Sequence, residues 1–161
     1  MEPAMADGDI IPGLGGRELT IRRVFDAPRD VLWRAFTEPE QFAQWFGSPP
    51  FTTPPSRVSM DVRPGGDWEA TQVNEDTGRE LPFVGRFREV VEPERLVLTF
   101  ENPEDRDDPH VEVVTVTFTE VDGGTEVVLH QAGHLPPEQY KRTERGWSGF
   151  IDQLEKQVSQ A

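Results

Sequence analysis

The sequence predicts an α+β fold in which a curved antiparallel sheet of about six to seven strands wraps around a long C-terminal helix. Three observations lead there. Residues 24 to 46, VFDAPRDVLWRAFTEPEQFAQWF, gather Phe25, Trp33, Phe36, Phe42, Trp45 and Phe46 around two short helices that open at prolines. About 100 residues later, RGWSGFIDQLEKQV sets Trp147, Phe150, Ile151, Leu154 and Val158 on one helical stripe. Between 57 and 131 the hydrophobic period is two, with turn residues at regular intervals.

Residues 1 to 16 are small, acidic and glycine-rich, with only Ile10, Ile11 and Leu14 to bury, and read as a disordered tail ahead of one domain over 17 to 161. ELTIRRVFD then alternates Leu19, Ile21, Arg23 and Phe25 against Thr20, Arg22 and Val24, a strand that stops at Ala27-Pro28. A helix over about 28 to 36 follows, with Pro28 in its first turn and Asp30 near its positive end. Thr37 is expected to cap a second helix that begins at Pro39 and ends at Gly47 after Trp45 and Phe46. SPPFTTPPS is too proline-rich for either regular element and reads as an ordered loop or flap.

The period-two segments are RVSMDVRPGGDWEATQV, LPFVGRFREVV, RLVLTF, VEVVTVTFTEV and TEVVLHQ. They are separated at Pro64-Gly65-Gly66, Glu75 to Gly78, Glu92-Pro93-Glu94, Asn102 to Pro109 and Asp122-Gly123-Gly124, so an antiparallel meander is expected. Pro136-Pro137 opens a helix of some 20 residues whose stripe adds Tyr140. A sheet that curves more than the helix can fill leaves a void between them.

Composition bounds the partners. Hydrophobic residues make up 35% of the 161, and 14 glycines bring the apolar share close to the ordinary roughly 45–50%, enough for a core. A net charge of −14 repels phosphate backbones and anionic membrane surfaces, so neither nucleic acid nor membrane insertion is expected. The absence of cysteine excludes disulfides, thiolate zinc sites and cysteine nucleophiles. No run approaches a membrane span and the first 16 residues lack the pattern of a signal peptide, which makes a cytoplasmic location the default expectation.

The run FDAPRDVLWRAFTEPEQFAQWF, then MDVRPGGDW, LPFVGRFREVVEPERLVLTF, VTVTFTEVDGGTEVVLHQAGH and the helical GW followed by Phe150 and Leu154, resembles the START-like (SRPBCC) superfamily over about 19 to 158. Within it the chain is most similar to the branch related to the C-terminal domain of the heat-shock-protein-90 ATPase activator. The resemblance implies a helix-grip fold with an internal cavity that often takes a hydrophobic or aromatic small molecule. It implies no activity, because such a scaffold hosts many functions.

Candidate chemistry is sparse. His130 and His134 have the spacing of a helical zinc pair, but His130 lies at a strand end and Gly133 intervenes, so no metal is expected, and no cofactor motif is present. The acidic stretch Glu104 to Asp108 lacks the spaced calcium-loop pattern and reads as a solvated loop. Ser148 sits in RGWSGF, inside a helix rather than in a nucleophile elbow. Glu69 and Glu80 lie on strands and read as water-facing, while Glu144 falls on the helix stripe that faces the sheet.

Among the aromatic residues, Trp33, Phe36, Phe25 and Phe118 read as core. Trp45, Phe46, Trp68, Phe83, Phe87, Trp147 and Phe150 border the expected cavity. Gln131, His134, Tyr140 and Glu144 are candidate orienting groups. Gly146 and Gly149 flank Trp147 in mid-helix, which suggests that the sheet or a ligand approaches closely there.

The expectation is a monomeric or homodimeric protein that binds a small hydrophobic, aromatic or polyketide-like molecule for transport, sequestration or self-resistance. Binding without turnover is favoured by the lack of a nucleophile, metal or cofactor motif. Two alternatives stand beside it, a polyketide cyclase or aromatase and a chaperone-associated interaction module.

Overall fold

The computed structural model describes residues 17–159. The expected disordered tail, residues 1 to 16, lies outside the described residues. Eight strands form one antiparallel sheet: β1 (Glu18–Phe25), β2 (Phe51–Thr52), β3 (Val58–Met60), β4 (Asp67–Asn74), β5 (Glu80–Val91), β6 (Arg95–Phe100), β7 (Glu112–Val121) and β8 (Gly124–Ala132). Their order is β1-β8-β7-β6-β5-β4-β2, with β3 also paired to β4, so β4 to β8 form a meander, β1 pairs with its last strand and β2 and β3 share its first. Helices α1 (Arg29–Thr37) and α2 (Pro39–Trp45) follow β1, and α3 (Pro137–Ser159) closes the chain.

The sheet curls into a half-barrel, and the alternation of its strands gives it one buried inner face. On β7, Glu112, Val114, Val116 and Phe118 are buried on the inner face, and on β8 Thr125, Val127, Leu129 and Gln131 match them. A register shift between Phe87 and Glu89 bends the 12-residue β5 against β6. Helix α3 runs across the inner face. Near its C-terminus Asp152 and Glu155 each accept from Arg23 of β1 at 2.9 Å, and farther back the Trp147 indole reaches Gln131 of β8.

Two local expectations change. Thr37 does not cap α2: its Oγ1 donates to the carbonyl of Trp33 at 2.8 Å, inside the last turn of α1. Glu38, held extended by the proline after it, ends α1 and precedes α2. The proline-rich stretch 48 to 56 is not wholly loop, since Phe51–Thr52 pairs with Val73 and Asn74 of β4, which gives the sheet its eighth strand. Among the described residues no helix is long and apolar enough to cross a membrane.

Candidate functional site

A cavity of about 660 Å³ opens between the first half of α3 and the half of the sheet built from β5, β6 and the adjoining ends of β7 and β8. Its wall is aromatic. Phe46, at the end of α2, lies 5.2 Å from both Phe83 and Phe150 and 6.3 Å from Trp147, ring centre to ring centre, and Phe100 stands 5.8 Å from Trp147. Pro82, Val84 and Leu135 extend the apolar lining. Phe46 is held in place through its carbonyl, which accepts from Thr53 Oγ1 and, at 3.5 Å, from Gln72 Nε2.

The polar end is organised by Glu112, which is 9% exposed on the inner face of β7. Its Oε1 accepts from Gln131 Nε2 at 3.0 Å and from the Tyr140 hydroxyl at 2.8 Å, and its Oε2 accepts from the backbone N–H of His134 at 2.7 Å. Gln131 passes the network on, since its Oε1 accepts from Trp147 Nε1 at 2.7 Å. Burial first, and then the bond to Glu112, push the Tyr140 hydroxyl up to about 12, so it stays a donor throughout the neutral range. Gly133 makes room for the carboxylate: a Cβ there would sit 1.9 Å from Glu112 Oε2.

The mouth is formed by the loop between β6 and β7. Asp108 accepts from the backbone N–H of His110 at 2.9 Å, pairs with the His110 ring at 2.9 Å and accepts from Asn102 Nδ2 at 3.3 Å. The bond from the His110 backbone, then those from its ring and from Asn102, hold the Asp108 carboxyl below the usual carboxylate range. The exposed rings of His110 and His134 meet edge to face at 5.0 Å. Glu101, its side chain 4% exposed, is paired with Arg86 at 3.0 Å and Arg106 at 3.2 Å, which ties this loop to β5 and β6.

Of the residues singled out from sequence, Phe46, Phe83, Gln131, His134, Trp147 and Phe150 line the cavity together. Tyr140 stands behind it, reaching it through Glu112. Trp45, Trp68 and Phe87 do not line it. Trp45 is fully buried and donates to the Ala35 carbonyl at 2.8 Å, Trp68 donates to the Thr99 carbonyl at 2.9 Å, and Phe87 is buried on the inner face of β5. Glu144 is half-buried beside the stripe and accepts from Ser148 at 3.3 Å, away from the lining.

His130 faces away from the cavity and pairs with Glu18 at 3.0 Å. Glu80 pairs with Arg57 at 3.0 Å in solvent, and Glu69 is exposed. The two mid-helix glycines divide: Gly146 borders the cavity with open space where a Cβ would be, while a Cβ on Gly149 would meet Ser48 Oγ at 2.7 Å. The close approach therefore comes from the segment after α2 rather than from the sheet.

Sequence reasoning missed Glu112, His110 and Phe100. The signal for Glu112 was available, since it shares the parity of Val114, Val116 and Phe118 on β7, and a carboxylate in phase with an apolar face is an informative exception. Among the described residues no group of three or more His, Asp or Glu is arranged to hold a metal ion.

A family model described as Activator of Hsp90 ATPase homolog 1-like protein matches residues 26–159. Among solved structures, protein CV1439 from Chromobacterium violaceum is similar at 27% identity and a TM-score of 0.74, covering 88% of this chain and 96% of that one. Protein NE0264 from Nitrosomonas europaea is similar at 27% identity and a TM-score of 0.75, covering 91% and 96%. A protein from Arthrobacter aurescens, 18% identical with a TM-score of 0.80 over 95% and 92%, shares the fold. No curated protein matches the chain at a significant level.

Proposed function

We propose, from the premise that this chain belongs to the family of Activator of Hsp90 ATPase homolog 1-like proteins, that its cavity binds a small hydrophobic, ring-bearing molecule. The observation that carries the reading is the wall of five rings, Phe46, Phe83, Phe100, Trp147 and Phe150, around a volume of about 660 Å³. That volume falls in the ~300–1,000 Å³ range of small-molecule sites, and apolar walls with few placed polar groups are their usual lining. Burial and offset or edge-on stacking supply the affinity, and Gln131 and His134 supply orientation. Glu112 is already engaged by three donors, so it serves the pocket as a fixed acceptor.

The test is titration with Nile red, a neutral apolar fluorophore, read by its emission and by calorimetry. The wild type is expected to bind it stoichiometrically and Trp147→Ala to lose most of the affinity while remaining folded. Absence of saturable binding, or unchanged binding in the variant, sinks the reading.

A second reading, an enzyme of the cyclase or aromatase kind, is favoured by one observation: Glu112, His110 and His134 border the same cavity, where a proton could be moved. Incubation with poly-ketone and aromatic compounds decides it, since recovery of all of them unchanged leaves binding alone. A chaperone-associated role is favoured by no comparable observation. Among the described residues the exposed large hydrophobics are Val24 and Val91, on strands that are not neighbours.

A further inference from the structure

Among the described residues the cavity lining combines its aromatic wall with three carboxylates, Glu101, Asp108 and Glu112, and the rings of His110 and His134, but with no lysine or arginine. The three carboxylates are not equivalent. Glu101 is neutralised by Arg86 and Arg106. Asp108 is kept ionised by its hydrogen bonds, and among the described residues its only paired side chain of basic type is the His110 ring. Glu112 accepts from an amide, a phenol and a backbone N–H, all neutral, and among the described residues no basic side chain forms an ion pair with it.

Its lone pairs are largely satisfied while its unit charge is not. In a half-closed site that charge acts through less screening than in water. Lys141, Arg142 and Arg145 of α3 are exposed and stand outside the lining, and Arg17, whose charge acts on Tyr140, is also exposed. The net charge of −14 adds a long-range field of the same sign. Phe46, Phe100 and Trp147 line the same cavity, and aromatic rings attract cations, tryptophan the most strongly of the three.

Resting on the reading that the cavity binds an apolar molecule, we infer that it selects one carrying a protonated amine. The ammonium lies at the Glu112 end among the rings, and the isosteric carboxylate is excluded. The site thus sorts apolar molecules by charge: cations first, neutral molecules next, anions last.

Displacement of Nile red by naphthylethylamine, naphthylethanol and naphthylacetate tests it, at pH 8, where an ordinary imidazole is uncharged and an alkyl amine is not. The amine is expected to bind at least tenfold more tightly than the acid, with the alcohol between them. In Glu112→Gln, which keeps an acceptor at Oε1, the amine is expected to lose most of its advantage while the alcohol changes little. Asp108→Asn at the mouth gives the same direction with a smaller effect, should Glu112→Gln prove unstable. Equal affinities, or a preference for the acid, overturn the charge inference and leave the pocket reading standing. If neither Nile red nor the neutral alcohol binds, the pocket reading falls and this inference falls with it.

Discussion

The two halves of the space between sheet and helices are built from the same kinds of side chain and end in different states. Toward α1 and α2, Trp33, Phe36, Trp45 and Phe118 fill the interior down to a void of about 10 Å³, with Phe36 4.7 Å from Trp45 and 5.3 Å from Phe118. Toward the start of α3, neighbouring rings among Phe46, Phe83, Phe100, Trp147 and Phe150 stand 5.2 to 6.4 Å apart and leave about 660 Å³ unfilled. The polar atoms show why. In the filled half they bond to backbone: Trp45 Nε1 to the Ala35 carbonyl, Thr125 Oγ1 to the Ala27 carbonyl at 2.8 Å. In the open half they bond mainly to other side chains, Trp147 to Gln131, and Gln131 and Tyr140 to Glu112, whose other oxygen takes the His134 N–H. Backbone carbonyls in regular structure do not move, so the first half is a core. A side-chain network keeps its place only while every member stays, so the second half is a site whose shape can be edited.

The two tryptophans break the comparison most directly. Trp45→Ala is expected to cost ~3–5 kcal/mol, the usual loss for a large aromatic in a filled core. Trp147→Ala is expected to cost about 1–3 kcal/mol, since the cavity beside it already lacks packing atoms and solvent there can reach Gln131. Urea denaturation of both variants reads the difference. Equal losses would place Trp147 in an ordinary core and remove the distinction between the halves.

Removal of one polar group from each half sharpens the contrast. Glu112→Ala strips the acceptor from Gln131, Tyr140 and the His134 N–H together and is expected to cost about 1–3 kcal/mol. Thr125→Val removes one neutral bond and is expected to cost about 1 kcal/mol, with no change in Nile red affinity. The network also has a pH signature. Tyr140 is the single tyrosine of the chain, so phenolate absorbance reports on it alone.

Its folded value of about 12 lies above the ordinary value of about 10, so the folded state keeps a proton that the unfolded state has released. The stabilisation is fully present below pH about 10 and is lost as pH rises toward about 12. Tyr140→Phe is expected to abolish that alkaline loss. A phenol that titrates near 10 in the folded protein would show that Glu112 and burial do not hold it.

The strands, their turns and the stripe of α3 were legible because a period of two and a period of 3.6 are local properties of a chain. The wall of the cavity was legible only in part. Alternation puts Trp68 and Phe87 on the inner face of the sheet, as it does Phe83 or Phe100, but it carries no information on which end of the sheet the helix leaves open. Trp45 and Phe46 are neighbours in sequence, yet one is sealed against Ala35 and the other turns into the cavity, because the helix ends between them. Glu112 was readable by parity and passed unnoticed among the valines of β7. The mouth residues Asp108 and His110 belong to a loop without period, whose conformation depends on bonds from Asn102 and Arg106 that no pattern announces.

The smallest expected effect distinguishes the halves within a single turn of helix. Gly146 and Gly149 both lie in the middle of α3, where alanine is favoured over glycine by about 0.8–1 kcal/mol. At Gly146 the added methyl meets nothing within 4 Å and projects beside the cavity, so Gly146→Ala is expected to gain most of that increment and to weaken Nile red binding by occupying volume. At Gly149 the methyl would lie 2.7 Å from Ser48 Oγ, a buried hydroxyl with no partner among the described residues, so the Ser48 side chain must give way and part of the increment is spent on that adjustment. Thermal melts should therefore rise clearly less for Gly149→Ala than for Gly146→Ala. If Gly149→Ala stabilises as much as Gly146→Ala, the packing between α3 and Ser48 is looser than the geometry requires, and the filled half begins farther along the helix than Gly149.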